Sequence, residues 1–102
     1  MPLHDDLAEL LNLPENGKGA PSLAVLEARL TDGYAEALAL EAERWRIEQR
    51  LGEVARIARR PGSANELESL SQQLSDADGE LARLRSLLGT LQERARTLRG
   101  SR

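Results

Sequence analysis

Leucine and alanine recur at alternating steps of three and four residues through the last third of this chain. The positions are Leu67, Leu70, Leu74, Ala77, Leu81, Leu84, Leu88, Leu91, Ala95 and Leu98. This spacing is the heptad pattern of a coiled coil, in which the a and d positions form one apolar seam. The pattern predicts a long helix that packs against another helix along this seam.

A second seam with the same spacing runs through the middle third of the chain. Its positions are Leu23, Leu26, Leu30, Gly33, Ala37, Leu40, Arg44, Ile47, Leu51, Val54 and Ala58. Pro61-Gly62 separates the two seams and is a typical helix stop. We therefore predict an all-α fold, an antiparallel coiled-coil hairpin over residues 22–102 with helices at about 22–59 and 64–99.

Capping residues and charge agree with a hairpin. Ser22 is a suitable N-cap for the first helix, and Ser63 with Glu66 or Asn65 with Glu68 could form a capping box for the second. Residues 22–43 and 61–82 are acidic, whereas 44–60 and 83–102 are rich in arginine. An antiparallel fold at the Pro61-Gly62 turn lays each acidic stretch along a basic one.

Two registers of this hairpin are compatible with the seams. One places Leu51 opposite Leu70, and the other places Leu51 opposite Ala77 and Gly33 against Ala95. The second register would form the ion pairs Glu27–Arg99, Glu41–Arg85, Glu36–Arg94 and Arg50–Glu80. The first would bring together the like charges Arg29–Arg94, Glu43–Glu80 and Glu41–Asp78. On these charges we favour the second register.

Residues 1–21 form a short arm and linker. Leu7, Leu10 and Leu11 share one face of a short amphipathic helix, and Pro14 to Pro21 are rich in helix breakers. A helix of this length is marginal in water, so it must dock to be ordered. The segment Leu7-Ala8-Glu9-Leu10-Leu11 also fits an LxxLL pattern, which is a form of helix-in-groove ligand.

Composition argues against chemistry. The chain has no cysteine, one histidine (His4) and a net charge of −3. No cluster of ligands or nucleophiles is visible, so we expect no enzyme activity, no metal and no cofactor. The acidic balance argues against nucleic acid as a partner. No apolar run approaches a membrane span and no signal peptide is evident, so we expect a cytoplasmic protein without a membrane partner.

Tyr34, Leu38 and Trp45 lie off the hairpin seam and form a second apolar stripe on the first helix. Exposed apolar surface usually marks an interface, where tryptophan and tyrosine are favoured anchors. Three coverings remain open. A second copy could complete a four-helix bundle, the arm could fold back with Leu7, Leu10 and Leu11, or another protein could bind.

Arginines occupy two notable places. Arg44 interrupts the seam, and we expect its head to reach Glu41, Glu48 or Glu80, or else to specify register or hold a partner or an anion. Arg56, Arg59 and Arg60 gather at the tip of the hairpin. They could contact phosphate groups, although the last turn of a helix favours arginine in any case.

The sequence thus predicts a non-enzymatic interaction protein: an adaptor, regulator or chaperone that works through helix packing, as a homodimer or with another protein. The alternative is a regulatory hairpin that binds nucleic acid or a nucleotide through the arginines at its tip.

Overall fold

A computed structural model describes residues 2–14, 17–57 and 62–100 of the chain. They form three helices: α1 (Pro2–Asn12), α2 (Leu23–Arg56) and α3 (Ser63–Gly100). No strand occurs among these residues. The two long helices pack against each other, which confirms the all-α prediction.

The helix ends follow local chemistry. Ser22 caps α2, because its Oγ accepts a hydrogen bond from the backbone N–H of Val25 at 3.2 Å. At the start of α3, the carbonyl of Gly62 accepts a bond from the N–H of Glu66 at 3.2 Å. Gly62 has a φ of 85°, which a residue with a side chain rarely adopts. Because α3 already begins at Ser63, the proposed box that starts at Asn65 is wrong.

Both predicted seams are the packed faces of their helices. Every seam position in the described residues is buried or half-buried, and the fully buried side chains include Leu26, Val54, Leu84 and Leu91. Even Gly33 is buried. The heptad spacing therefore predicted correctly which side of each long helix is removed from water.

The chain divides into two compact units. The first comprises Met1–Ala37 and Arg83–Arg102, and thus contains α1, the start of α2 and the end of α3. Its buried core includes Leu7, Leu26 and Leu91. The second unit is Leu38–Ala82. Its core joins Ile47, Val54, Leu70 and Ala77, with Leu51, Leu67 and Leu74 packed against them.

The register differs from the one that we favoured. A Cβ placed on Gly33 would overlap the Leu88 side chain rather than meet Ala95. Gly33 opposite Leu88 is the register that also places Leu51 opposite Leu70. Arg50 Nη2 binds Glu66 Oε1 at 2.6 Å, not Glu80. Arg99 Nη2 binds Glu27 Oε1 at 2.9 Å, and this ion pair was correctly predicted.

Burial explains this outcome. The observed register sets Val54 opposite Leu67 and Leu51 opposite Leu70, and all four pack in one cluster. The favoured register would instead place Leu67 at the turn and give Leu70 only the small side chain of Ala58. Burying a leucine contributes about 1.5–3 kcal/mol, but an exposed ion pair contributes about 0–1 kcal/mol. The leucines therefore decide the register.

The like-charge contacts predicted for this register are avoided where the residues involved bind other partners. Arg29 pairs with Asp32 of its own helix at 3.0 Å. Asp78 bonds Arg44. Arg94 turns away to the end of α1, as described below.

Candidate interaction surface

In the second unit, the side of α2 opposite its seam carries two large exposed apolar side chains. Leu38 is 68% exposed and Trp45 is 61% exposed. They lie seven residues apart, so they project from the same side of the helix. Ala42, between them, is also exposed. Leu40 and Ile47 are buried on the seam side. The hairpin therefore packs through the seam side of this segment and leaves the side that carries Leu38 and Trp45 exposed.

Tyr34, the third member of the predicted stripe, belongs to the first unit and is 46% exposed. Leu7 of the arm is fully buried within its own unit. Within the first unit, the arm therefore leaves Tyr34 exposed. The three coverings of the stripe, by a second copy, by the arm or by another protein, stay predictions.

Charged residues border this side of α2. Arg46 follows Trp45, is exposed and forms no ion pair with any residue that the structure describes. Glu41, four residues before Trp45, is exposed as well. The apolar side chains thus have a polar rim, as an interface typically does. Glu43 lies toward the seam instead, where it lines a small groove of about 200 Å³ with Ile47 and Glu80.

Arg44 lies at its seam position half-buried, with its head group on two carboxylates. Its Nε bonds Asp78 Oδ1, and its Nη1 binds Glu48 Oε1 at 2.8 Å. The hydrogen bond that Arg44 donates to Asp78, together with the negative charges of Asp78 and Glu48, raises the pKa of Arg44 above its ordinary value. The expectation that the arginine head would reach Glu48 is confirmed. Asp78 was missed, because the favoured register placed it elsewhere.

The arm forms a docked helix. Leu7 is fully buried, while Leu10 and Leu11 are half-buried. Arg94 of α3 donates from Nη2 to the Leu11 carbonyl at 2.6 Å and from Nη1 to the Leu13 carbonyl at 3.5 Å. A cation at the C-terminal end of a helix satisfies carbonyls that have no partner within the helix.

His4 of the arm is buried, and its Nε2 has no hydrogen-bond partner. It belongs to the packed side of α1, which was not predicted from the sequence. Its position three residues before Leu7, on the same helical face, was the signal that could have revealed this.

The basic tip is described only in part. Arg56 is exposed in the last turn of α2. Arg59 and Arg60 lie outside the described residues.

The described residues were also compared with what a ligand groove, a metal site and a membrane span require. An open groove of about 480 Å³ lies between α1 and α2, with Asp6, Glu9, Leu13 and Arg29 in its lining. Among these residues no group of three or more histidine, cysteine or carboxylate side chains could hold a metal ion. None of the described helices is long and apolar enough to cross a membrane.

No family model matches this chain, and neither a curated protein nor a solved structure does. Function must therefore be inferred from the exposed side of α2 and the charges beside it.

Proposed function

We propose that this protein is a non-enzymatic interaction module that acts through helix packing, and that it associates with itself to form a four-helix bundle. The observation that supports this is the pair of exposed side chains Leu38 and Trp45 on one side of α2. Tryptophan is enriched among the residues that dominate interface energies. A monomer would leave both side chains in water.

The free energy of burying these side chains, compared with the cost of association, favours a reversible dimer. Removing the exposed parts of one Trp45 and one Leu38 from water contributes on the order of 4 kcal/mol, and two copies contribute about 8 kcal/mol. Association costs an estimated 4–15 kcal/mol of lost freedom. Two side chains per copy therefore suffice only for a weak dimer, so it should dissociate on dilution.

In this proposal the module works in the cytoplasm as an adaptor, regulator or chaperone. Its arm is held by its own first unit, as the burial of Leu7 and the bonds from Arg94 indicate. That leaves the side of α2 with Leu38 and Trp45 as the contact surface. A helix from another protein is the other occupant that this surface could take.

The test is the absolute mass of the purified chain by light scattering during size exclusion, over a concentration series near physiological salt. We expect a mass near twice the 11.2 kDa of the chain at the highest concentrations. Trp45→Ala should shift the mass toward that of a monomer. Val25→Ala is the matched control, because Val25 is an exposed apolar residue of the first unit.

A monomeric mass for the unmodified chain at every concentration would refute self-association. So would a dimer that Trp45→Ala and Val25→Ala weaken equally, since the contact would then not be specific to this side of α2.

A further inference from the structure

The exposed side of α2 in the second unit has a heptad pattern of its own. Its positions follow one another at steps of four, three, four and three residues: Leu38, Ala42, Trp45, Gln49 and Gly52. All five are exposed. In this outer seam, the large side chains Leu38 and Trp45 share one heptad position with Gly52, while Ala42 and Gln49 occupy the other.

We propose that a second copy of the chain packs along this seam with its α2 antiparallel to the first. This inference depends on the self-association proposed above and adds the partner surface and its direction. In the antiparallel arrangement, Ala42 of each copy lies opposite a large side chain, Leu38 or Trp45, of the other.

Side-chain volume supports the antiparallel direction. A parallel pair brings identical positions together, so Trp45 would meet Trp45 and Ala42 would meet Ala42. The first contact is overpacked and the second leaves a void, and both are unfavourable in a helix interface. An antiparallel pair joins an a position to a d position, and a large side chain then fills the space beside an alanine.

Charge supports the same direction. Within the second unit, α2 begins with the acids Glu41 and Glu43 and no base, whereas residues 44–56 hold four arginines and two glutamates. Two of those arginines, Arg46 and Arg56, form no ion pair with a described residue. An antiparallel pair lays the acidic beginning along the basic end, whereas a parallel pair lays like charges together.

Spin labels measure the direction. Because the chain has no cysteine, Arg56→Cys provides one labelling site per copy at the exposed end of α2. If the pair is antiparallel about a centre midway between Ala42 and either Trp45 or Leu38, the two labels lie roughly 40–50 Å apart, at a rise of about 1.5 Å per residue. In a parallel pair they lie within about 20 Å, since the axes of packed helices are about 8–10 Å apart.

A volume change tests the same contact by mass. Ala42→Leu fills the space that the large side chain of the other copy needs, so the antiparallel dimer should weaken at least tenfold. In a parallel pair the same leucine would fill a void and preserve or strengthen the dimer. Ala82→Leu, at an exposed position of α3, is the matched control.

The outcomes are distinguishable. A long label distance together with weakening by Ala42→Leu supports the inference. A dimer with a short distance, or a dimer that Ala42→Leu does not weaken, overturns the antiparallel seam and leaves self-association standing. A monomer before any substitution refutes the proposed function itself.

Discussion

Arg94 of α3 reaches the end of α1 and donates a hydrogen bond from its Nη2 to the carbonyl oxygen of Leu11 at 2.6 Å. A second donor, Nη1, lies 3.5 Å from the carbonyl of Leu13. One side chain therefore satisfies the open end of a helix that is too short to be stable alone. The position of the arm depends on a residue that is remote from it in sequence.

Replacing Arg94 should loosen the arm. Arg94→Met keeps an unbranched stem but removes the donors, and we expect the docking of α1 to weaken by about 2 kcal/mol. Hydrogen exchange read by mass spectrometry should show faster exchange in α1. The control is Arg96→Met, because Arg96 is exposed and pairs with Glu93 within α3. Unchanged protection of α1 in Arg94→Met would contradict the role of this side chain.

Leu7 is the apolar anchor of the arm, since its side chain is fully buried. Leu7→Ala should lower the free energy of unfolding by about 3 kcal/mol, through lost burial and the cavity that remains. Leu13 is 43% exposed, so Leu13→Ala should change it by less than about 0.5 kcal/mol. Urea unfolding followed by circular dichroism measures both. Equal effects from the two substitutions would mean that α1 is not docked through Leu7.

Sequence reasoning located the seams and the helix ends because these depend on local periodicity and on single capping residues. Leu67 to Leu98 and Leu23 to Val54 predicted the buried faces, and Ser22 predicted the start of α2. The exposure of Trp45 was also predictable, because it lies off the seam.

The register was not predictable from charge. The favoured pairing rested on exposed ion pairs, each of which contributes little, while the observed pairing follows the burial of Leu67 and Leu70. Side chains that change partner with register were misplaced in consequence. Asp78 binds Arg44 and Arg94 binds the arm, and neither contact has a signature in the sequence.

Gly33 tests the observed register directly. A Cβ at Gly33 would overlap Leu88 and come within 3.2 Å of its Cγ. We expect Gly33→Ala to lower the free energy of unfolding by about 1–3 kcal/mol, despite the better helix propensity of alanine. Gly89 has nothing within 4 Å of an added Cβ, so Gly89→Ala should stabilise the protein by up to about 1 kcal/mol. The measurement is the urea midpoint of each variant.

A double substitution shows whether the effect of Gly33→Ala comes from overlap with the Leu88 side chain. Gly33→Ala combined with Leu88→Ala should be less destabilised than the sum of the two single changes, because the overlapping side chain is gone. If Gly33→Ala instead stabilises the protein as Gly89→Ala does, Leu88 does not lie against Gly33 and the register is different.

Substitution of Arg44 tests whether a charged residue in the seam stabilises the fold. Arg44→Leu restores an apolar seam position, so we expect a higher urea midpoint even though the contacts with Asp78 and Glu48 are lost. The pKa of Arg44 is raised by Asp78. A raised pKa of a base contributes stability that is lost only as the pH rises through the folded-state value, here at strongly alkaline pH. Titration of Arg44 should therefore not change the difference in urea midpoint between the unmodified chain and Arg44→Leu from pH 6 to pH 9. A lower midpoint for Arg44→Leu would show that the ion pairs dominate.

The arginines at the tip separate an interaction module from a hairpin that binds nucleic acid. The chain carries a net charge of −3, and of the three arginines the structure describes only Arg56. We expect no retention of the unmodified chain on duplex DNA or RNA near physiological salt, and no change when Arg56, Arg59 and Arg60 are replaced by glutamine. Binding that falls steeply with salt, and that the triple replacement abolishes, would establish phosphate contacts and favour the nucleic-acid function. Because Trp45 lies outside that set, Trp45→Ala should leave such binding intact while it alters the mass, so the two functions can be told apart with the same preparations.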